Sequence, residues 1–366
     1  MPVMLLLLSH LISRLGWVPT AAALVGCSPQ YFLAHLLWRA ISLPFPRRVY
    51  ERGDEIMYGL YQSMVIFFFE AYSGVEFVFH GDPMPEHKEN VIYMANHQCT
   101  VDWLLVDSLA IRQGMVGNIR YILKSSLKRI PLYGWYFKQH GCIYIKRKAS
   151  EDEDTMKRSL LRFSANQTPM WIVVFPEGTR FNIERKDMIA KSQKYAADHN
   201  LVPLDNVLIP KTKAMEACFD ALYDYADAVY DVTVAYTGQS DENQERGLPP
   251  SMPDLMNWKC REVHIHLQRI PMNEIPTDKE AQIQWIHQQF IKKDKLLKRF
   301  YSKESWHEFE DDDVICKRRL PYPKWHVIGS VCLFALSFIP FFATSRGRSV
   351  YFLTAMIGGI ATVVLS

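Results

Sequence analysis

Two kinds of hydrophobic pattern alternate through the middle of the chain. Short runs of almost continuously apolar residues, typical of buried strands, are separated by longer stretches with apolar residues at helical spacing. This alternation predicts an α/β fold with a central, mostly parallel sheet and flanking helices, whose chemistry should lie on loops at the strand ends. We predict strands over "VEFVFHG", "VIYMA", "IRYIL", "CIYIK", "MWIVVF", "DVTVAY" and "VHIHLQ", and helices that begin near Val101, Asp152, Asp187, Ala214 and Asp278.

Both ends of the chain are strongly apolar. The segment Gly16–Trp38 is long enough to cross a bilayer, and 326–343 and 350–365 are close to the lower limit of about 20 residues. Hairpins that dip into one leaflet are the alternative at each end. The start lacks the basic region of a cleaved signal peptide, so we expect a retained anchor. The arginines that follow it, at 39, 47, 48 and 52, place the next domain on the cytosolic side.

These patterns divide the 366 residues into four regions. We predict a membrane anchor with a linking helix over 1–70, a catalytic domain over 75–301, a charged linker over 302–325 and a membrane hairpin over 326–366. The net charge of +3 gives no indication of nucleic-acid binding. The seven cysteines are scattered and never form a CxxC pair, which favours reduced thiols facing the cytosol.

The stretch "NHQCTVDW" places His97 five residues before Asp102. On one regular helix, side chains five positions apart diverge by roughly 140°. They can meet if His97 lies on the turn that leaves the strand "VIYMA" and Asp102 lies in the first turn of the next helix, with Thr100 as its N-cap. A carboxylate that holds a histidine orients the ring and makes it a better proton acceptor. The alternative is a surface histidine beside an acidic residue that serves the helix dipole.

A second motif, "FPEGTR", follows the buried strand "MWIVV". Gly178 permits close backbone approach or a positive φ, and the N–H groups of the turn could stabilise an oxyanion. An ion pair between Glu177 and Arg180 is the structural alternative. Upstream, the strand "CIYIK" ends in a basic run, Lys146 to Lys148, which suits a phosphate group unless it is a solvated turn. Downstream, we interpret "NVLIPKTKA" as a strand that ends at a proline.

In this order and spacing, the motifs resemble those of the PlsC-like glycerolipid acyltransferases, and most plainly the 1-acylglycerol-3-phosphate acyltransferase family. The resemblance runs over nearly the whole chain. It implies that His97 deprotonates the acceptor hydroxyl, that Asp102 orients His97, and that Arg147 binds the acceptor phosphate. The acceptor-site motif corresponds to Glu177, Gly178 and Arg180, and Lys124 corresponds more loosely to a basic residue near the acceptor. In two places the chain departs from the family pattern, with Lys146 before Arg147 and Lys211 after the proline.

The resemblance also implies the substrates and the location. Acyl-CoA is expected as co-substrate, lysophosphatidic acid as acceptor and phosphatidic acid as product, without a metal or a cofactor. The acceptor alternatives are another lysophospholipid and glycerol-3-phosphate. The expected location is the endoplasmic reticulum membrane, with the catalytic domain in the cytosol and a mitochondrial membrane as the alternative.

Three other functions are compatible with parts of the sequence. A thiol hydrolase could use Cys99, but that residue is only two positions from His97. A zinc enzyme could use His264 and His266 of "EVHIH", but no third ligand is evident. An inert lipid-binding protein would have no need of the combined His97, Asp102 and Glu177.

Overall fold

The computed structural model describes residues 15–146, 149–238, 246–257, 259–303 and 321–364. Arg147, the charged core of the predicted linker and the first 14 residues of the predicted anchor lie outside these ranges. The strands are β1 (Glu76–Gly81), β2 (Val91–Ala95), β3 (Ile119–Lys124), β4 (Ile143–Ile145), β5 (Trp171–Val174), β6 (Ala228–Tyr236) and β7 (Glu262–Pro271). The helices are α1 (Trp17–Ser42), α2 (Arg47–Ile66), α3 (Asp102–Arg112), α4 (Tyr133–His140), α5 (Ala149–Asn166), α6 (Lys186–Asp198), α7 (Lys213–Leu222), α8 (Met252–Met256), α9 (Lys279–Lys303), α10 (Lys324–Phe342) and α11 (Ser345–Val364).

Seven of the eight predicted strands are confirmed, and each of the five predicted helix starts lies within three residues of an observed one. The strand predicted over "NVLIPKTKA" is wrong. Residues 206–211 belong to no strand, because their backbone N–H groups bind partners outside any strand ladder. Leu208 N donates to the Glu177 carboxylate, Ile209 N to the Ser192 hydroxyl and Lys211 N to the carbonyl of Pro176.

The chain forms two compact units. Of the described residues, the first unit contains those within 15–72, 107–171 and 322–364, and the second those within 73–106 and 172–321. The first unit is mainly helical, with β3 and β4 paired in parallel. Helices α1 and α10 contact each other and both α2 and α11. In its interior the Asp54 carboxylate binds two histidines, His35 at 3.1 Å and His140 at 2.7 Å, so the buried carboxylate has a partner on each oxygen.

The second unit contains the larger group of strands, in the order β1-β7-β6-β2-β5. The pairs β1/β7 and β2/β6 are parallel, and β6/β7 is antiparallel. The predicted α/β class with a mostly parallel sheet is therefore confirmed. Every residue of β6 is buried, including Asp231. That carboxylate is tolerated there because Lys293 of α9, itself buried, reaches it at 2.6 Å and also donates to Val232 O.

The three predicted membrane segments coincide with helices α1, α10 and α11. Within the described ranges, α10 is the one helix that is both long and apolar enough to cross a membrane, with a mean hydropathy of 1.8. That measure rests on length and composition, so the anchors at both ends remain predictions. The two C-terminal helices are joined by a two-residue connection and contact each other, as a hairpin requires.

Candidate functional site

The His97 and Asp102 side chains meet in the second unit. His97 lies just beyond the end of β2 and Asp102 is the first residue of α3, and Nδ1 of the imidazole lies 2.7 Å from Oδ2 of the carboxylate. The Asp102 side chain is 1% exposed, whereas that of His97 is 25% exposed. An ionised carboxylate only accepts hydrogen bonds, so Nδ1 carries the proton and Nε2 is left as a proton acceptor. The convergence predicted from the sequence is confirmed.

The backbone of the intervening turn holds the carboxylate in place. Oδ2 of Asp102 accepts hydrogen bonds from the backbone N–H groups of Gln98 at 2.7 Å and Cys99 at 2.9 Å. Thr100, the predicted N-cap, instead accepts a hydrogen bond from the guanidinium group of Arg180 at 2.8 Å. The turn therefore folds around the Asp102 side chain, which explains why a spacing of five residues brings the two functional groups together.

Glu177 supports the same turn from the other side. Its side chain is buried and accepts a hydrogen bond from His97 N at 2.6 Å and another from Leu208 N at 2.9 Å. Arg180 is exposed and donates to Thr100, so the two motif charges bind different partners and the ion-pair interpretation is wrong. Glu177 thus fixes the backbone of His97 to the segment after α6, and Arg180 presents a positive charge beside the start of α3.

Gly178 is required by its backbone conformation, whereas its surroundings leave room for a Cβ. Its φ of +68° lies in the region that L side chains rarely adopt, and an added Cβ would lie 3.4 Å from Cδ of Lys211. Its N–H group donates to Phe175 O at 3.0 Å and so cannot serve an oxyanion in this conformation. Lys211, one of the two departures from the family pattern, therefore packs directly against the turn of "FPEGTR".

The structure unites five of the seven predicted site residues in the second unit: His97, Asp102, Glu177, Gly178 and Arg180. Lys124 is the exposed last residue of β3 and belongs to the first unit. Arg147 lies outside the described residues, so its predicted contact with a phosphate stays a prediction.

Gln98 and Arg246 are site residues that the sequence did not indicate. The guanidinium group of Arg246 lies between the rings of Phe181 and Tyr301, 4.4 and 4.5 Å from their centroids, and donates to Oε1 of Gln98. Stacking on two aromatic faces fits the planar guanidinium group. Because Gln98 also donates to Val234 O at 2.6 Å, this cluster ties the turn after His97 to β6. Arg246 lies in a polar stretch of the sequence, and no local pattern distinguishes it from a solvated arginine.

The polar groups of the two rival enzyme sites are engaged in other contacts. The thiol of Cys99 is buried and donates to Pro250 O at 2.7 Å, and burial, together with the charge of Asp102, raises its pKa to about 12. His264 lies 3.0 Å from a ring nitrogen of His80. Across the described ranges, no group of three or more His, Cys, Asp or Glu side chains is arranged to hold a metal ion.

Replacing Cys99 by serine is expected to leave most of the activity intact. At neutral pH the thiol is protonated and hydrogen-bonded, and a serine hydroxyl can donate to the same carbonyl. The measurement compares the steady-state catalytic rate of the folded Cys99→Ser protein with that of the wild type. A loss of more than about tenfold would indicate that the thiol takes part in the reaction.

Glu177 is expected to make stability depend on pH. Burial raises the pKa of its carboxyl group from 4.5 to about 8, although the two N–H donors and Arg246 oppose this shift. The folded protein then keeps a proton that the unfolded chain releases above about pH 4.5. The free energy of unfolding should therefore fall as pH rises from about 4.5 to about 8, by up to a few kcal/mol.

Melting temperatures measured between pH 5 and 9 for the wild type and Glu177→Gln provide the test. The variant has no titrating carboxyl group at this position, so its melting temperature should fall less over that range. Parallel curves for the two proteins would show that Glu177 does not titrate there.

Comparison with known proteins agrees with this geometry. The family model described as "Acyltransferase" matches residues 76–237, and that described as "Acyltransferase C-terminus" matches residues 254–328. The chain is 41% identical to mouse 1-acyl-sn-glycerol-3-phosphate acyltransferase epsilon, over 97% of this chain and 96% of the relative. It belongs to the 1-acyl-sn-glycerol-3-phosphate acyltransferase family. The resemblance stated from the motifs is confirmed.

Two further similarities to known proteins are weaker. An Arabidopsis thaliana protein, probable 1-acyl-sn-glycerol-3-phosphate acyltransferase 5, is 34% identical over 74% of this chain and 68% of its own length. The crystal structure of the 1-acyl-sn-glycerophosphate acyltransferase PlsC from Thermotoga maritima aligns with a TM-score of 0.45 and 15% identity, covering 81% of this chain and 96% of that one. The family model and the curated relatives identify the chain as an acyltransferase.

Proposed function

We propose that this acyltransferase moves an acyl chain from acyl-CoA to the sn-2 hydroxyl of lysophosphatidic acid and so forms phosphatidic acid. The observation that carries the proposal is the His97–Asp102 pair, in which a buried carboxylate orients a partly exposed imidazole. A hydroxyl group is a weak acid, and a neutral imidazole within hydrogen-bond reach is the expected base for its activation. The printed names of the mouse and Arabidopsis relatives support this choice of acceptor.

The reaction can be written with His97 as the proton carrier. Nε2 takes the proton of the acceptor hydroxyl as the oxygen attacks the thioester carbonyl carbon. The resulting imidazolium donates through Nδ1 to Asp102, whose negative charge stabilises it. When the tetrahedral intermediate collapses, the carbon–sulfur bond breaks and the imidazolium returns the proton to the departing CoA thiolate. The ester bond replaces the thioester bond, and no acyl group is attached to the protein.

The acceptor's phosphate is proposed to bind cations around the site. A phosphomonoester carries nearly two negative charges at neutral pH and favours arginine, which can bind it through two hydrogen bonds. Arg180 is exposed, and its donation to Thr100 holds the guanidinium group close to the start of α3. Arg147 and Lys124 are further proposed ligands, on the strength of the family resemblance.

Membrane attachment is proposed through the apolar helices of the first unit. Large side chains of α10 and α11 are exposed, including Trp325 at 86%, Leu336 at 61% and Ile360 at 58%. Exposed apolar surface on this scale fits a lipid environment better than water. We place the protein in the endoplasmic reticulum membrane with its site facing the cytosol, and a mitochondrial membrane is the alternative location. At either membrane the site would be close to a one-chain lipid acceptor.

An acceptor panel tests the proposed function. With oleoyl-CoA held at a fixed concentration, glycerol-3-phosphate, lysophosphatidic acid, lysophosphatidylcholine and lysocardiolipin are compared by kcat/KM. Lysophosphatidic acid is expected to be preferred, because it combines a phosphomonoester with an acyl tail. Preference for a zwitterionic headgroup would contradict the phosphomonoester assignment, and activity with none of the four would contradict the acyltransferase proposal for these acceptors.

Arg180→Ala adds a second arm to this experiment. The substitution should raise KM for lysophosphatidic acid by roughly 10-fold or more and leave KM for oleoyl-CoA nearly unchanged. This is the effect expected from the loss of one hydrogen bond to a charged group. Arg185→Ala is the matched control, because Arg185 lies in the same loop and pairs with the exposed Asp187. Equal effects on both substrates would assign Arg180 a structural role.

A further inference from the structure

The Asp102 carboxylate has a fourth hydrogen-bond donor, the hydroxyl group of Tyr236. This tyrosine is the last residue of β6 and is fully buried, and its hydroxyl lies 2.5 Å from Oδ1 of Asp102. The other three donors, His97 Nδ1 and the N–H groups of Gln98 and Cys99, all bind Oδ2. Within the described ranges, Tyr236 is the donor that the structure gives to Oδ1. It therefore acts on the second oxygen of the carboxylate that orients His97.

A hydrogen bond to a carboxylate draws off part of its negative charge. A carboxylate that receives such a bond attracts a neighbouring imidazolium less strongly than one that does not. Asp102 is almost completely buried, so water cannot replace the bond if the hydroxyl is removed. The strength with which Asp102 favours the protonated form of His97 thus depends on whether Tyr236 donates to it.

We propose that Tyr236 is a positioning residue that sets the pH range in which His97 is a neutral base, by donating to the second oxygen of Asp102. The proposal rests on the function proposed above. Without the hydroxyl, the imidazolium form should persist to higher pH, and a smaller fraction of the protein should hold the neutral imidazole needed to deprotonate an acceptor.

Apart from Glu177, the titratable groups around His97 and Asp102 keep the same charge near pH 7. Burial raises the pKa values of Tyr93, Tyr236 and Tyr301, and that of Cys99 to about 12, so all four stay neutral near pH 7. The guanidinium groups of Arg180 and Arg246 remain charged. Glu177, with a pKa of about 8, is the exception. It is present in every variant compared below, so differences between them isolate the tyrosine hydroxyl.

The chain offers a matched control on the same strand. Tyr230 lies six residues earlier on β6, is equally buried, and donates its hydroxyl to the buried Glu89 at 2.6 Å. Tyr230→Phe removes one hydroxyl from one buried carboxylate, as Tyr236→Phe does, but Glu89 binds Arg269 and has no contact with His97. Both variants should lose similar stability, so a change confined to Tyr236→Phe reports on the catalytic pair.

The test is an NMR titration of the His97 ring in the full-length protein, with its resonance assigned by its absence from the His97→Ala protein. The titration midpoint should rise by about one pH unit in Tyr236→Phe, the shift expected from one hydrogen bond to a charged group, and stay unchanged in Tyr230→Phe. The acidic limb of the pH profile of kcat/KM should move to higher pH by the same amount. At pH values well below both titration midpoints, the activity of Tyr236→Phe would then be about tenfold below that of the wild type, and the two proteins would converge at pH values above both midpoints.

Each outcome decides the proposal. A midpoint equal to that of the wild type, or an equal shift in Tyr230→Phe, would overturn it, whatever the activity. A shifted midpoint in a protein that acylates no acceptor would support the role of Tyr236 and contradict the proposed function instead. If Tyr236→Phe does not fold, 3-fluorotyrosine incorporated at position 236 serves as the second variant. Its hydroxyl is a stronger donor, so the midpoint should fall, and an unchanged or raised midpoint would refute the proposal.

Discussion

Replacing His97 by alanine is expected to lower kcat for acyl transfer by about 10²- to 10⁴-fold, the range usually lost with a general base. Nε2 of this imidazole is the group proposed to accept the hydroxyl proton, while its Nδ1 is bound to Asp102. The fold should survive, because the contacts of the turn with Glu177 and Phe181 use the backbone of residue 97 and not its ring. The measurement is the steady-state rate of purified protein with oleoyl-CoA and lysophosphatidic acid.

A control variant separates loss of the base from general damage. His199 lies at the exposed C-terminal end of α6, where its ring stacks on that of Tyr195 at 4.0 Å, so His199→Ala should keep wild-type activity. If the folded His97→Ala protein retained more than about a tenth of the wild-type rate, the assignment of His97 as the base would be wrong.

Replacing Asp102 by asparagine is expected to cost roughly 10²-fold or more in kcat, through loss of ring orientation and of imidazolium stabilisation. The amide also introduces N–H donors where the carboxylate now accepts four hydrogen bonds. One amide nitrogen would face existing donors, and the resulting unsatisfied groups should lower stability by about 1–3 kcal/mol. Both effects are measured on the same protein, by steady-state kinetics and by denaturant unfolding.

Asp107→Asn is the matched control for this prediction. Asp107 lies five residues further along α3, is fully buried, and accepts hydrogen bonds from Gln62 and Tyr121. Burial raises the pKa of its carboxyl group well above the ordinary value, so an uncharged amide is a close replacement. Equal kinetic losses in the two variants would mean that Asp102 acts through stability and not through His97.

The strands were predictable because their apolar runs are nearly continuous. Strands such as "VIYMA" and "DVTVAY" are buried on both faces, and a run of that kind has few other stable locations in an α/β fold. The segment "NVLIP" has the same apolar character and yet forms no strand. Its N–H groups bind Glu177 and Ser192, and that of the following Lys211 binds the backbone of the "FPEGTR" turn. Such partners cannot be inferred from local composition.

The contact between His97 and Asp102 was predictable because it is local in sequence. His97 and Asp102 are separated by a turn whose flanking strand and helix both have clear patterns. Tyr236 and Arg246 lie more than 130 residues further along the chain and reach the site through the pairing of β6 and through a stack of aromatic rings. Neither contact produces a recognisable local sequence pattern, since a buried tyrosine at the end of a strand also fits an ordinary core.

The most direct test of the account is release of free CoA from oleoyl-CoA by the purified full-length protein, with and without lysophosphatidic acid, beside the His97→Ala protein. We expect CoA release by the wild type to depend on lysophosphatidic acid, with one phosphatidic acid formed for each CoA released. The variant should release almost none. Release of CoA without an acceptor would identify a hydrolase. Absence of release under both conditions, or equal release by His97→Ala, would contradict the central claim that His97 activates a lipid hydroxyl for acyl transfer.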